Sequence, residues 1–259
     1  LTLGVALSVF VLLFARYEMS WDKHFIDYNQ IYRFASVVSI GNMQTLASVT
    51  PSPLRDVLSD QPEVEFAVRL YNGGKGIVEV QNQRHHESRF FYADRDFFNV
   101  FNLPFISGLP QTALDQKQDV VVTQSTAKKY FGHANPIGKQ LKYNNKEYIV
   151  SAVVADVPIN THFHFDFIAV NDMNLAGLQD TLMSNRDESW LQISVYTYAK
   201  LRQEVDLDQF AQKINEIKDL KAAQQVEEVK ELYRSPDETI VIDFVPEPIT
   251  HIHYLSKAV

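Results

Sequence analysis

Cysteine is absent from the 259 residues of this chain. Its absence excludes disulfides, thiol nucleophiles and cysteine-ligated zinc from the region, and it suits an oxidising compartment without proving one. Basic residues are a minority, with 24 Lys and Arg against 32 Asp and Glu, so the net charge is -8. Because an acidic surface repels phosphate backbones, we expect no nucleic-acid partner.

The common catalytic motifs are also missing. The sequence has no Walker A loop, no dinucleotide-binding glycine motif, no nucleophile elbow and no HExxH zinc motif. The glycine-rich stretch 73–76 lacks the spacing and the hydroxyl residue of a phosphate-binding loop. Carboxylates are plentiful, but nothing in the sequence pairs two of them for acid–base work. We therefore expect a domain that is not an enzyme and that needs no cofactor.

Long apolar runs are absent as well, except at residues 1–14, which contain no charged side chain. As a helix this run covers ~21 Å, short of the ~30 Å of a bilayer core. It predicts the end of a transmembrane helix that starts upstream. A signal-peptide core and a buried core helix are the alternatives. The run has no basic segment before it and no small-residue cleavage site after it, which disfavours the signal peptide.

The rest of the chain mixes strand and helix patterns, which predicts an α+β fold. Strands are predicted at 31–40, 64–70, 77–80, 88–92, 120–123, 141–143, 148–154, 162–167, 191–201 and 240–244. Helices are predicted after Pro53, across Phe97–Phe101 and 124–130, and from Asp206 onwards in two stretches. The aromatic cluster at 97–101 is interpreted as core.

Three local features of this pattern predict the position of a turn, a strand end and a helix. Asn144 and Asn145 predict a hairpin turn, because asparagine tolerates positive φ. Pro246 and Pro248 predict the end of the last strand. The apolar stripe after Asp206 predicts a helix that packs on the domain's own sheet, with a coiled-coil face for a partner as the alternative.

The sharpest chemical candidates are His162, His164 and Asp166. They alternate with three phenylalanines, and on a strand they would share one face as potential metal ligands. The alternative is a solvated polar stripe, and no second source of ligands is identified, so no metal site is predicted. His251 and His253 form a similar pair. A metal-dependent hydrolase that uses the His162 strand is the enzymatic hypothesis.

Short segments in a characteristic order give the chain a family resemblance. The segments are Tyr17-Glu18, Ser20-Trp21-Asp22, Phe25, Asn29, Ile31-Tyr32-Arg33, Tyr92-Ala93-Asp94, Phe97-Phe98, Phe101, Val120-Val121-Val122, Ala127, Phe131-Gly132, Pro136-Ile137-Gly138-Lys139, Val153, Asp156-Val157-Pro158, Asn160, His162 and Ile252-His253. Over about residues 15–259 the chain resembles the MacB-like periplasmic core domain of FtsX-like ABC-transporter permeases. Trp21 departs from the pattern, which more often has tyrosine there, and the match around Tyr254 is loose.

The resemblance implies an architecture of two subdomains behind a transmembrane helix. Residues 1–14 would end that helix, and residues 15–27 would form a juxtamembrane stalk. Residues 28–85 and 190–248 would form a porter-like α/β sandwich, and residues 86–189 a mixed α+β subdomain inserted into it. Residues 249–259 would return to the membrane.

The resemblance also implies a function and a set of partners. The expected function is non-catalytic coupling of cytoplasmic ATP hydrolysis to movement or binding outside the membrane, in efflux or mechanotransmission. The expected location is the bacterial inner membrane, with this domain in the periplasm. The expected partners are an ABC ATPase subunit, a second permease copy in a dimer, and a periplasmic adaptor or substrate protein. The alternative is a membrane-anchored sensor or ligand-binding domain, which the sequence after residue 259 would distinguish.

Overall fold

The computed structural model describes residues 2–41, 43–81, 83–171, 188–203, 205–233 and 240–255. The helices are α1 (Thr2–Glu18), α2 (Leu54–Ser59), α3 (Phe97–Val100), α4 (Gln124–Phe131), α5 (Leu207–Tyr233) and α6 (Ile249–Leu255). The strands are β1 (Ile31–Ile40), β2 (Met43–Ala47), β3 (Thr50–Pro51), β4 (Val64–Asn72), β5 (Gly76–Val80), β6 (Gln83–Glu87), β7 (Phe90–Ala93), β8 (Phe105–Ser107), β9 (Asp119–Thr123), β10 (Gln140–Tyr143), β11 (Lys146–Val154), β12 (Phe167–Val170), β13 (Ile193–Leu201) and β14 (Ile240–Pro248). The predicted α+β class is confirmed.

The strands join into one mixed sheet. Its order is β14-β1-β13-β4-β7-β12-β9-β11-β10-β5-β6, and β2, β3 and β8 pair with β1, β13 and β11. The pairs β7–β12 and β9–β11 are parallel, and the others are antiparallel. The antiparallel contact of β4 with β7 joins the half built on β1, β13 and β14 to the half built on β9, β11 and β12.

Three apolar cores hold the layers together. The first contains the aromatic cluster of α3 with Phe25, Phe163 and Ile252, so it ties the stalk and α6 to the sheet. The second lies between the sheet and the helices α2 and α5. The third fills the far half around Phe90 and Tyr143, whose rings stack with centroids 3.8 Å apart. Each fully buried aromatic side chain contributes about 2 kcal/mol to folding.

Several local predictions are confirmed. Asn144 and Asn145 have φ of 49° and 67° and form the turn between β10 and β11. Gly132 ends α4 with φ of 61°. Asp206 caps α5 by accepting the backbone N–H groups of Asp208 and Gln209 at 3.1 Å. Phe210 and Ile214 of α5 are buried in the second core, so this stripe packs on the domain's own sheet.

Two predicted boundaries are wrong. The two helical stretches after Asp206 form one helix, α5, because 207–233 contains neither glycine nor proline and consists mostly of strong helix formers. The last strand includes Pro246 and Pro248 instead of stopping there. This is tolerated because β14 is at the edge of the sheet, where a missing backbone N–H costs no ladder hydrogen bond if it faces outward.

The apolar run at the start of the chain lies on α1. The side chains of Phe10 and Leu12 are 66% and 69% exposed, so they are not part of the core in the described residues. Within the described ranges, no helix combines the length and the hydropathy that a membrane crossing requires. The interpretation of residues 1–14 as the end of a transmembrane helix stays a prediction.

Candidate functional site

The two ends of the domain meet at one place, the junction, which we define as residues 18–24, 158–164 and 249–254. The indole of Trp21 stacks on the imidazole of His253, with centroids 3.6 Å apart and planes 10° apart. His253 Nε2 lies 3.0 Å from Glu18 Oε2, and the Tyr254 hydroxyl donates to the Glu18 carbonyl at 2.8 Å. Side chains of α6 therefore contact both the last residue of α1 and the segment that follows it.

A buried carboxylate fixes the stalk to the loop between β11 and β12. Asp22 is 0% exposed, and its Oδ1 accepts the backbone N–H of His162 at 3.2 Å and the Nδ1–H at 2.8 Å. The Asp22 backbone N–H donates to the Asn160 carbonyl at 2.9 Å, and the Asn160 amide donates to Ser20 at 3.0 Å. Asp22 has φ of 60°, which aspartate adopts more readily than most residues.

The same histidine connects the stalk to the sheet. His162 Nε2 lies 2.9 Å from the hydroxyl of Tyr198 on β13. With Nδ1 directed at the Asp22 carboxylate, Nε2 faces the Tyr198 hydroxyl, and an Nδ1–H tautomer lets Nε2 accept the hydroxyl proton. Burial raises the pKa of Tyr198, so the hydroxyl stays a donor over the physiological range. The chain Asp22–His162–Tyr198 thus spans the stalk, the loop and the sheet.

His24 completes the cluster of titratable groups in the junction. Its Nε2 lies 3.3 Å from the Thr161 hydroxyl. Partial burial lowers the pKa of His24, Asp22 opposes this, and His162 adds to it. With this lowered pKa, His24 is mainly neutral at neutral pH.

A second polar contact, between Arg69 and Asp94, joins the two halves of the sheet. Asp94 Oδ2 accepts the backbone N–H and the Nε–H of Arg69 at 2.8 and 2.9 Å, and Oδ1 accepts Nη2–H at 3.1 Å. The side chains are 10% and 15% exposed. Asn171 also donates to Asp94 at 3.2 Å. This contact lies where β4 meets β7.

The predicted strand across 162–167 is wrong, because β12 begins only at Phe167. The three metal candidates therefore do not share a strand face, and each has a different partner. His162 binds Asp22, His164 Nε2 lies 3.1 Å from the Pro158 carbonyl, and Asp166 pairs with Arg89 at 2.9 Å. Of the residues that the structure describes, no three His, Cys, Asp or Glu side chains are placed to hold a metal ion.

The two histidine pairs of the sequence do not form a common site either. His253 reaches Glu18, whereas His251 is exposed. However, His162 and His253 both lie against the stalk, and both line a cleft of about 960 Å³ beside it. One member of each pair thus lies at the junction, a placement that the sequence did not show, and its contacts there are with the stalk.

Sequence reasoning missed the central role of Asp22 and the Arg33–Glu247 ion pair. These last two side chains lie 2.7 Å apart and are 5% and 6% exposed, on paired strands β1 and β14. An acidic residue among the aromatics of the stalk was the available signal for Asp22. Its partner lies 140 positions away, so nothing local could identify the contact.

Similar proteins share this architecture. Three solved structures match the fold. They are a domain described as that of a permease protein from Porphyromonas gingivalis (TM-score 0.65, 15% identity, 86% of this chain and 91% of that one), the periplasmic region of MacB from Actinobacillus actinomycetemcomitans (0.54, 16%, 88% and 92%) and the extracellular domain of the noncanonic ABC-type transporter YknZ from Gram-positive bacteria (0.52, 10%, 74% and 95%). At these identities the likeness concerns the fold.

A curated relative and a family model extend the likeness to the sequence. The relative is the macrolide export ATP-binding/permease protein MacB of Aggregatibacter actinomycetemcomitans, 30% identical over 104 residues. That match spans 39% of this chain and 16% of the relative. The family model for the MacB-like periplasmic core domain matches residues 1–217. The chain belongs to the family of MacB-like periplasmic core domains.

Proposed function

We propose that this chain is the non-catalytic periplasmic part of an ABC-transporter permease and that its junction transmits movement between the membrane and the outer domain. The observation that carries the proposal is the contact of Trp21 and Glu18 with His253, which joins the entering and leaving segments. A displacement of either segment then moves both segments. The contact of Asp22 with His162 transmits this displacement to the loop at 158–164.

The rigidity of the contacts beyond the junction supports this route. His162 connects the stalk to β13 through its hydrogen bond with Tyr198. The contact between Arg69 and Asp94 joins the two halves of the sheet. A packed chain of buried groups moves as a unit, because interiors are dense and resist continuous deformation. The proposal includes a bacterial inner-membrane location, a cytoplasmic ABC ATPase, a second permease copy, and a periplasmic adaptor or substrate protein as partners.

The test uses the full-length permease with its ATPase in nanodiscs. This region has no cysteine, so spin labels attach only at cysteines introduced at exposed Asp208 and Lys128, once any cysteines elsewhere are replaced. We expect ATP and vanadate to change the distance between the labels. We expect Trp21→Ala to keep ATP hydrolysis and to lose the distance change.

The control is Ile106→Ala, which alters an exposed apolar side chain of β8 away from the junction. Ile106→Ala should keep both ATP hydrolysis and the ATP-driven change in label distance. An ATP-driven distance change of full size in Trp21→Ala would contradict the proposal.

The alternative is a membrane-anchored sensor or ligand-binding domain, favoured by the cleft beside the stalk. It predicts that ATP has no effect on the label distance and that the gene encodes a signalling module after residue 259. Three further membrane helices there would instead agree with a permease.

A further inference from the structure

The free edges of the sheet differ in how they are protected against pairing. The edge strand β14 contains Pro246, Glu247 and Pro248, and the edge strand β6 contains Arg84 and Glu87. Prolines and charges are the usual protection of an edge strand. Residues 43–49, which include β2, contain neither. Among the described strands, β2 pairs with β1 alone, so its other side lacks a strand partner.

The cleft beside the stalk lies along this unprotected strand. Leu46 and Val49 line it, together with Leu70, Phe91 and Tyr196 of the neighbouring strands β4, β7 and β13. Its volume of about 960 Å³ is near the upper end of typical ligand sites. The cleft therefore combines apolar and aromatic side chains with the backbone of β2 in one lining.

The charged and titratable groups that line the cleft have partners already. Arg33 is ion-paired with Glu247 at 2.7 Å. The three lining imidazoles contact Asp22, Glu18 and the Pro158 carbonyl. Of the described residues, no carboxylate lines the cleft. The complement of this neutral surface is an uncharged ligand, because a charged one would lose hydration without gaining a counter-charge.

We propose that β2 binds an extended, uncharged peptide segment of a partner polypeptide, which adds a strand to the sheet inside the cleft. A strand of five residues spans about 17 Å and presents repeated N–H and C=O groups. Main-chain hydrogen bonds give such strand addition its affinity, and alternate side chains contact the apolar lining. A small apolar molecule would leave these backbone groups unpaired. This inference is independent of the coupling proposed above.

Peptide binding to the full-length permease in nanodiscs, without ATP, tests the inference. The probe is a fluorescent peptide of alternating threonine and valine, about eight residues long. One matched peptide carries N-methyl groups on alternate amides, and another has lysine for each threonine. We expect the unmodified peptide to bind and each matched peptide to bind at least about tenfold more weakly. Empty nanodiscs measure binding to lipid.

Two lysine substitutions locate the site. Leu46 on β2 and Val245 on β14 are aliphatic edge residues with similar exposure, 45% and 41%. Leu46→Lys should weaken binding about tenfold, and Val245→Lys should leave it unchanged. If Leu46→Lys fails to fold, Ser48→Lys takes its place, since Ser48 also lines the cleft.

Three outcomes would overturn the inference. Equal binding of the N-methylated peptide would indicate an apolar pocket that does not use the backbone of β2. Equal effects of the two lysine substitutions would place binding elsewhere. No binding of the unmodified peptide would exclude strand addition at this edge. None of these outcomes bears on the ATP-driven distance change, so the two proposals fail separately.

Discussion

Asp22 accepts two hydrogen bonds from His162, one from the backbone and one from the imidazole, across 140 positions of sequence. The carboxylate is fully buried, and both bonds go to Oδ1, which recovers hydrogen bonding that it loses on burial, whereas Oδ2 has no hydrogen-bond partner among the described residues. This pair holds the stalk to the loop between β11 and β12, and it does so beside the contact of Trp21 with His253. The pair thus holds the stalk together with the contacts of Ser20 with Asn160 and of Glu18 with His253.

Replacement of Asp22 tests the contribution of this pair. Asp22→Ala should lower the free energy of unfolding by about 2 to 3 kcal/mol, because two buried donors of His162 lose their acceptor. Asp22→Asn should cost less, since asparagine keeps one oxygen and also tolerates positive φ. Urea unfolding followed by circular dichroism measures both. The control is Asp208→Ala at an exposed position of α5. Equal losses at positions 22 and 208 would contradict the assigned role.

The contact between Asp22 and His162 could not be predicted from the sequence. The alternation of histidine and phenylalanine at 162–167 imitates a strand, yet Phe163 and Phe165 enter the first core from a loop, and Phe167 belongs to the third. The partners that hold this loop come from the stalk. Local turns, caps and helix faces were predictable because their causes lie within a few residues, as at Asn144 or Asp206.

Edge position is the other property that the local pattern does not contain. A proline such as Pro246 would end a central strand but is tolerated on an edge strand such as β14. Only the order of strands in the sheet shows that β14 lies at the edge. The family resemblance placed the two ends of the domain near the membrane. It did not identify Trp21 and His253 as the side chains that join them.

Asp94 is expected to be the main polar support between the two halves of the sheet. Asp94→Asn should lower the free energy of unfolding by about 2 kcal/mol, because the largely buried Arg69 guanidinium loses its counter-charge. Asp96→Asn is the matched control, two positions away. Asp96 is 40% exposed and approaches Arg55 at 3.6 Å. Thermal unfolding compares the variants, and a larger loss at position 96 would refute the assignment.

Asp166 should give the protein a pH-dependent contribution to stability. Burial raises the pKa of this carboxyl above 3.8, and Arg89 only partly opposes the rise. The folded state therefore binds the proton more tightly than the unfolded state. The associated stability is present below pH 3.8 and is lost as pH rises through the folded-state pKa.

The measurement for Asp166 is urea unfolding between about pH 4 and pH 7. The difference in unfolding free energy between wild type and Asp166→Asn should become less favourable to wild type as pH rises over this range. Asp208→Asn, at an exposed position of α5, is measured in parallel to show the effect of removing a carboxylate that is not buried. A difference for Asp166→Asn that moves in the opposite direction would mean that Arg89 outweighs burial.

The stack of Trp21 on His253 should be energetically coupled, because each ring loses its partner when the other is removed. In a double-mutant cycle of Trp21→Ala and His253→Ala, we expect the sum of the two single losses in unfolding free energy to exceed the loss in the double variant. The difference should be about 1 kcal/mol, the usual size for stacked aromatic pairs. His253→Gln separates the stack from the hydrogen bond, because glutamine can still reach Glu18 but cannot stack. It should therefore retain little of the coupling with Trp21.

The matched cycle uses Tyr17, which meets Trp21 only edge-on with centroids 6.5 Å apart, and a smaller coupling is expected there. If the cycles with His253 and Tyr17 gave equal couplings, the stack would not be what joins the two ends of the domain, and the route proposed for movement would have to run through Asp22 alone.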